Sequence, residues 1–349
     1  MANYQNTVLL NALAMLTDSA NKDLRKPEYG ATEAFNRYKR SVIQNYDEFN
    51  LIKNESDLQT KQIDYLRRTT AAVTNSRSAD LTGSLGDSTR DTLTFVNYSR
   101  EFTISDDLVR NNVFKAQKML VAQMQNARLD IGAAIETAAV AKLELFKNTV
   151  QGSRGLGTWD STFNVMQIAY ANKLEYYNYV ETDMRVLDYT GTLQEIHNGK
   201  MNALVNYQTA QGSGNSANLQ FQYPAFEFYT SNTVETGGYS SDYFGNSYVV
   251  PAGTIGLVDW IPGKNREGLV SHAEWDFASM PDPFGIFDTM AIAIQKKVQN
   301  SSAAGTGAQS INGGTQDAVW LYEVSVDVAF FIPTITTGKL VNKYGLLAS

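Results

Sequence analysis

Two stretches of this chain carry apolar patterns that are too long for an ordinary domain. The positions Val109, Val113, Ala116, Leu120, Met124, Ala127, Ile131, Ile135, Ala139, Leu143 and Phe146 recur at steps of three and four with no proline between them, the spacing of one helical face. Ser105 can serve as the N-cap, with Asp106 and Asp107 in the first turn where the helix dipole favours acids. Gly152, Gly155 and Gly157 end the stretch. The pattern predicts a helix over 106–150, roughly 68 Å long at 1.5 Å per residue, or two helices broken at Gly132. A compact globule of 349 residues is roughly 52 Å across, so the unbroken helix outruns its own domain. The second stretch alternates: Ala318, Trp320, Tyr322, Val324, Val326, Val328, Phe330 and Ile332 lie on one face and Glu323, Ser325 and Asp327 on the other, until Pro333. It predicts a strand roughly 50 Å long, where an average strand has five or six residues.

The remaining segments fall around these two. Residues 1–60 pair a short helix (Leu9, Leu13 and Leu16 on one face) with a break at Lys26-Pro27 and scattered aromatics at Phe35, Tyr38, Tyr46 and Phe49. So small an amphipathic patch packs either on its own domain or on a neighbouring subunit. From Thr69 to Arg90 small and polar residues dominate, the texture of a long loop tip. Leu93, Phe95, Phe102 and Ile104 then alternate with polar residues as a half-buried strand does; with Ile63 to Val73 as the approach, 61–104 forms a projecting hairpin. Helical patterns return in 159–211, short strands with Gly and Pro turns fill 219–290, and the uncharged run 298–316 is a flexible connector.

The chain length suits one large or two ordinary domains. Charged residues make up only 19% against a usual ~25%, although 28 Asn and many Ser, Thr and Gln keep the chain polar. Interface cores are depleted of charge, so this composition points to an outside that faces other protein. The net charge of −7 is lopsided: 1–148 carries 19 basic and 18 acidic groups, 149–349 carries 10 and 18. The densest basic run, Lys22 to Arg40, is diluted by Asp23, Glu28 and Glu33, unlike the basic stripe of a nucleic-acid-binding module. The run Val8 to Leu16 lacks the charged start and cleavage site of a secretory signal, and no run reaches the ~18 apolar residues of a membrane span. A soluble protein used without export is expected.

Catalytic chemistry finds little support. Cysteine is absent and His197 and His272 are isolated, which leaves no cluster for zinc or a proton relay. Gly152-Ser-Arg-Gly-Leu-Gly157 and Gly305-Thr-Gly307 do not stand between a strand and a helix with phosphate-loop spacing. Asp276, Asp282 and Asp288 lie near prolines, where turn-forming Asp is common, and Ser271 beside His272 is adjacency without a triad. No catalytic, cofactor-binding or metal-binding residue is assigned, and no enzyme activity is expected.

The order of parts, and in particular Arg100-Glu-Phe-Thr-Ile-Ser-Asp-Asp107 leading straight into the long helix and the strand from Trp320 to Ile332, resembles the Hong Kong 97-type major capsid protein of tailed bacteriophages. The resemblance covers nearly the whole chain. It implies an α+β fold with an N-terminal arm (1–60), an extended loop (61–104) and a peripheral domain (105–172) built on a spine helix (106–150). A mainly axial domain (173–297) follows, then a connector and closing long peripheral strand (298–349). It further implies a structural protein that self-assembles as hexamers and pentamers into an icosahedral head. That head is built in the host bacterial cytoplasm, encloses double-stranded DNA without sequence-specific binding and works with portal, scaffold and decoration proteins. Many members carry a removable scaffolding segment of about a hundred residues ahead of the arm; here the sequence has no such length before it, so a separate scaffold, or none, is expected. Crosslinking between Lys and Asn, which some members form, has no nominated pair here. The alternatives are an encapsulin-like bacterial compartment shell and, from another class, an α+β hydrolase using acidic residues.

Overall fold

The structure, a computed structural model, describes residues 34–35, 46–55, 58–67, 73, 77, 86–105, 116–211, 225–236, 243–266, 270–271, 275–282, 287, 289–300, 316–333 and 339–348. It is a mixed helix-and-sheet fold with two six-stranded sheets and a separate two-stranded ribbon.

Helix α1 (Tyr46–Glu55) places Asp47 and Glu48 in its first turn and Lys53 in its last, each at the end where the helix dipole favours it. Strands β1 (Thr60–Arg67) and β2 (Asp87–Thr94) pair antiparallel over their whole length, from Thr60 opposite Thr94 to Arg67 opposite Asp87. One residue later the chain enters β3 (Val96–Ser105), which leaves the ribbon and pairs antiparallel with β13 (Gln316–Phe331). Among the described residues the ribbon is β1 and β2, and the alternating segment from Val96 to Ile104 belongs to the large sheet. Phe102 and Ile104 are buried there because the long strand and the long helix cover their face.

Helix α2 runs unbroken over Ala116–Phe146, 31 residues and about 46 Å. Leu120, Met124, Ala127, Ile131, Ile135, Ala139 and Leu143 are all buried, and they form the inner stripe that packs on β3 and β13. Gly132 does not break the helix. Its end falls four residues before 150, because Lys147 forms a parallel bridge with Val341 and the Asn148 amide donates to the Val341 carbonyl at 2.8 Å. Residues 106–115, the expected first turns with Val109 and Val113, lie outside the described residues.

The large sheet has the order β10-β11-β12-β13-β3, with β9 also paired to β13. Its remaining strands are β9 (Gly256–Trp260), β10 (Val270–Ser271), β11 (Trp275–Pro281) and β12 (Thr289–Asn300). Strand β13 has 16 residues, and β12 pairs with it up to Asn300 opposite Gln316. The expected connector is thus shorter than 298–316 at both ends, and 301–315 lies outside the described residues. The second sheet has the order β4-β5-β14-β8-β6-β7. It comprises β4 (Gly157–Asp160), β5 (Val165–Ile168), β6 (Leu193–His197), β7 (Phe226–Thr230), β8 (Tyr243–Pro251) and β14 (Asn342–Leu347). Helix α3 (Tyr176–Val186) and helix α4 (Gly199–Gln211) belong to the same stretch of chain, and their Tyr176, Tyr177, Val180 and Met201 share a core with its strands.

Sheet membership divides the chain differently from its texture. Strands β4, β5 and β14 lie in the second sheet, while β9, β10, β11 and β12 lie in the large one. Hydrogen bonding between distant strands decides this, and no local pattern records it.

Candidate assembly surface

The ribbon is seated on the body at one end. Ile63 and Tyr65 of β1, Leu93 of β2, and Phe95 join Phe49 of α1 with Val258, Trp260, Ala329 and Phe331 of the large sheet in a small apolar core. Tyr65 meets Phe331 edge-on at 5.8 Å and Phe95 lies 6.0 Å from Trp260. Trp260 fastens the neighbouring elements. Its indole Nε1 donates to the Lys53 carbonyl at 2.9 Å, and Lys61 and Arg266 each lie 5.4 Å from its ring. Arg266 also donates to the carbonyls of Asn54 and Lys53. Sequence pattern does not reveal this group, since five separate segments supply it and none carries a motif.

The opposite face of the ribbon is open. Gln62, Asp64 and Leu66 of β1 are exposed, as are Ser88, Arg90 and Thr92 of β2. Asp64 and Arg90 pair across the strands at 2.7 Å, and Leu66 is 69% exposed. The Arg90 hydrogen bond holds the Asp64 carboxyl below its ordinary range. Of the loop tip expected over Thr69 to Arg90, residues 87–90 are instead part of strand β2, held by pairing with β1, and the rest lies outside the described residues apart from Val73, Arg77 and Gly86. Further exposed apolar side chains stand on α1 (Leu51, Ile52) and around the end of α2 (Leu145, Val150).

Asp282 is buried and bonded to Arg128 of α2 at 3.2 Å, while its other oxygen accepts the Phe287 amide. Asp276 sits in β11 between Ser271 of β10 and Ile294 of β12. Asp288, His272 and Gly305-Thr-Gly307 lie outside the described residues. Gly155, at φ 55°, takes the left-handed backbone of a tight turn that the reciprocal Arg154 and Gly157 bonds close. A Cβ on Gly157 would strike the Tyr179 hydroxyl and the Met166 side chain; the turn packs against protein, and no phosphate cradle is built.

His197 and Glu195 lie side by side on β6 beneath α3, both buried, with Nδ1 and Oε2 4.0 Å apart. Burial pushes the Glu195 carboxyl up to about 8 and the His197 imidazole down to about 4. At neutral pH both are uncharged, so they do not form an ion pair. Thr230 bonds His197 at 3.2 Å, and Ser247 bonds Tyr176 at 2.9 Å. A second layer ties α2 to the second sheet: Lys343 of β14 donates to Glu144 at 2.6 Å and to the Tyr248 hydroxyl at 2.7 Å. Burial, opposed by Glu144, brings the Lys343 amine down to about 7. Among the described residues no group of three or more His, Asp or Glu is placed to hold a metal ion, and no helix is long and apolar enough to cross a membrane.

No protein-family model and no curated protein matches the chain. Among solved structures it is similar, along nearly its whole length, to a chain from Mycobacterium phage Adephagia, with 12% identity and a TM-score of 0.47 over 95% of this chain and 94% of that one. It is also similar to a chain from the capsid of the cyanophage P-SCSP1u, with 10% identity and a TM-score of 0.47 over 95% and 92%. A chain from the capsid of a native GTA particle gives 11% identity and a TM-score of 0.47 over 94% and 93%.

Proposed function

We propose that this chain is a structural major capsid protein of the Hong Kong 97 type, which assembles as hexamers and pentamers into a phage head around double-stranded DNA. In this reading α2 is the spine helix and β13 the long peripheral strand beside it. The ribbon β1–β2 is the base of the extended loop, and the second sheet with α3 and α4 is the axial domain. The observation that carries it is the ribbon. Among the described residues it pairs with no other strand, its apolar seat on β1 is Ile63 and Tyr65, and an isolated two-stranded hairpin is marginal in water. The 31-residue helix and 16-residue strand supply a stiff frame from which such a ribbon reaches a neighbour.

Electron microscopy of the purified protein tests the reading. Closed shells of hexamers and pentamers are expected; a monodisperse monomer at micromolar concentration would sink it. Double-stranded DNA recovered from particles made in the host supports a phage head, whereas protein cargo without DNA favours the compartment shell. Portal, scaffold and decoration proteins belong to the head reading, as do the virion location and assembly in the host cytoplasm.

A further inference from the structure

A hollow of about 300 Å³ opens between α4, strands β8 and β14 of the second sheet and the 3₁₀ turn Tyr170–Glu175. The backbone of β8 shapes it. Met201 of α4 sits over Gly245, where a Cβ would strike its side chain. Beside that seat the register of β8 against β14 slips: Gly245 pairs with Leu346 and Tyr243 with Leu347, so Phe244 is an extra residue with nothing opposite. A bulge of this kind re-aims a side chain, and bulges are over-represented next to active sites. Phe244 lines the hollow together with Tyr170, their ring centres 5.8 Å apart and their planes inclined at 59°. Leu204 and Leu346, both buried, add aliphatic wall, and the exposed Ala203 stands at the rim. Lys173 is the one charged side chain among the described lining residues, and its amine lies 4.2 Å from the centre of the Tyr170 ring.

We infer that this hollow binds a small aromatic monocarboxylate, with the ring held inside and the carboxylate at Lys173. Ligand sites are concave, mostly apolar and carry a few placed polar groups that fix orientation, which is the composition of this lining. Size excludes larger occupants. A volume at the low end for ligand sites takes one small molecule and not a peptide segment or an oligosaccharide. The walls select the body of the ligand, because two inclined rings offer the offset and edge-to-face contacts that another aromatic ring prefers. Lys173 selects its end group. An ammonium carries three N–H donors, so an amine standing over a ring can also donate to an anion, and a charge-assisted bond is roughly twice as strong as a neutral one. A single cation matches a single negative charge. The site lies within the second sheet and its helix, so the inference goes beyond the capsid reading and does not rest on it.

Calorimetric titration of the purified full chain with naphthoate tests the site. Saturable binding of one ligand per chain is expected, and no saturable heat up to the millimolar range would overturn the proposal. Naphthalenemethanol, the uncharged counterpart, should bind at least about tenfold more weakly, the loss of one charge-assisted hydrogen bond. Added salt should weaken the naphthoate and leave the alcohol unchanged; these readings need no variant. Lys173→Met keeps the length of the side chain and removes its charge, so it should cost naphthoate about the same factor and spare the alcohol. Equal losses for both ligands would overturn the role of the amine. Ala203→Trp places an indole at the rim and should abolish binding of both, whereas binding that survives it in folded protein would put the ligand elsewhere. Octanoate bound as tightly as naphthoate would overturn the selection for a ring. Neither Lys173 nor Ala203 is buried, so both variants should keep the circular dichroism of the unmodified chain. Failure of the protein to form shells would remove the capsid reading and leave this site standing.

Discussion

Single side chains in the long strand show how far an alternating pattern can be trusted. Val324, Val326 and Val328 are buried under α2, as their alternation requires. The opposite face is polar in sequence, yet Asp327 is only 1% exposed, because β9 and β3 flank it on both sides. Burial raises the Asp327 carboxyl above its ordinary range, with Asn97 bonding to it as a smaller opposing effect. Val326→Asp should cost several kcal/mol. Asp327→Asn should raise the melting temperature at pH 7, since it removes a carboxylate whose ionisation opposes folding. A folded pKa above the unfolded one means stability that is full at low pH and lost as pH rises, so this gain should fade as pH falls below the ordinary Asp range. Equal melting temperatures for the two variants would show that the faces are misassigned. Glu195 follows the same sign with a wider window. With its folded pKa at about 8 and an unfolded value near ~4.3, its contribution is lost as pH rises from about 4 to 8. Relative to Glu195→Gln, the unmodified protein should lose melting temperature across that range and level off above it; parallel pH profiles would refute a buried neutral carboxyl.

At the scale of elements, α2 is the simplest to read and the most exposed to damage. Seven apolar positions from Leu120 to Leu143 are buried on one stripe, so its existence followed from spacing alone. Ile131 is buried within an unbroken helix. Ile131→Pro removes a hydrogen bond and clashes with the preceding turn, at a cost of ~3 kcal/mol or more, beyond the loss of packing. Soluble yield should collapse, and any soluble fraction should show reduced helical circular dichroism; a near-normal spectrum would imply a hinge near Gly132.

At the scale of the whole molecule, the ribbon separates folding from assembly. Asp87 and Ser88 are paired with Arg67 and Leu66, so a clean shortening must spare them. Replacing 69–85 with a two-residue turn should leave melting temperature and far-ultraviolet circular dichroism nearly unchanged, because the seat at Ile63, Tyr65, Leu93 and Phe95 is kept. Sedimentation should then find monomers or isolated capsomers where the unmodified chain forms particles, since symmetry repeats the deletion at every equivalent interface of the shell. Normal particles from the shortened chain would make the ribbon an ordinary surface feature and withdraw the main support for the capsid reading.

Local pattern alone determined the long helix, the long strand and the half-buried segment from Leu93 to Ile104, since periodicity is a property of neighbours in sequence. Tertiary structure decided what depends on distant partners. It placed β9 to β12 in the large sheet and β14 in the second one, ended α2 at Phe146 through the Val341 bridge, and buried Asp327 between its flanking strands. It also left β3 at an edge. Strand order is set by hydrogen bonds between residues tens to hundreds of positions apart, and a strand that ends a sheet has the same alternation as one in the middle.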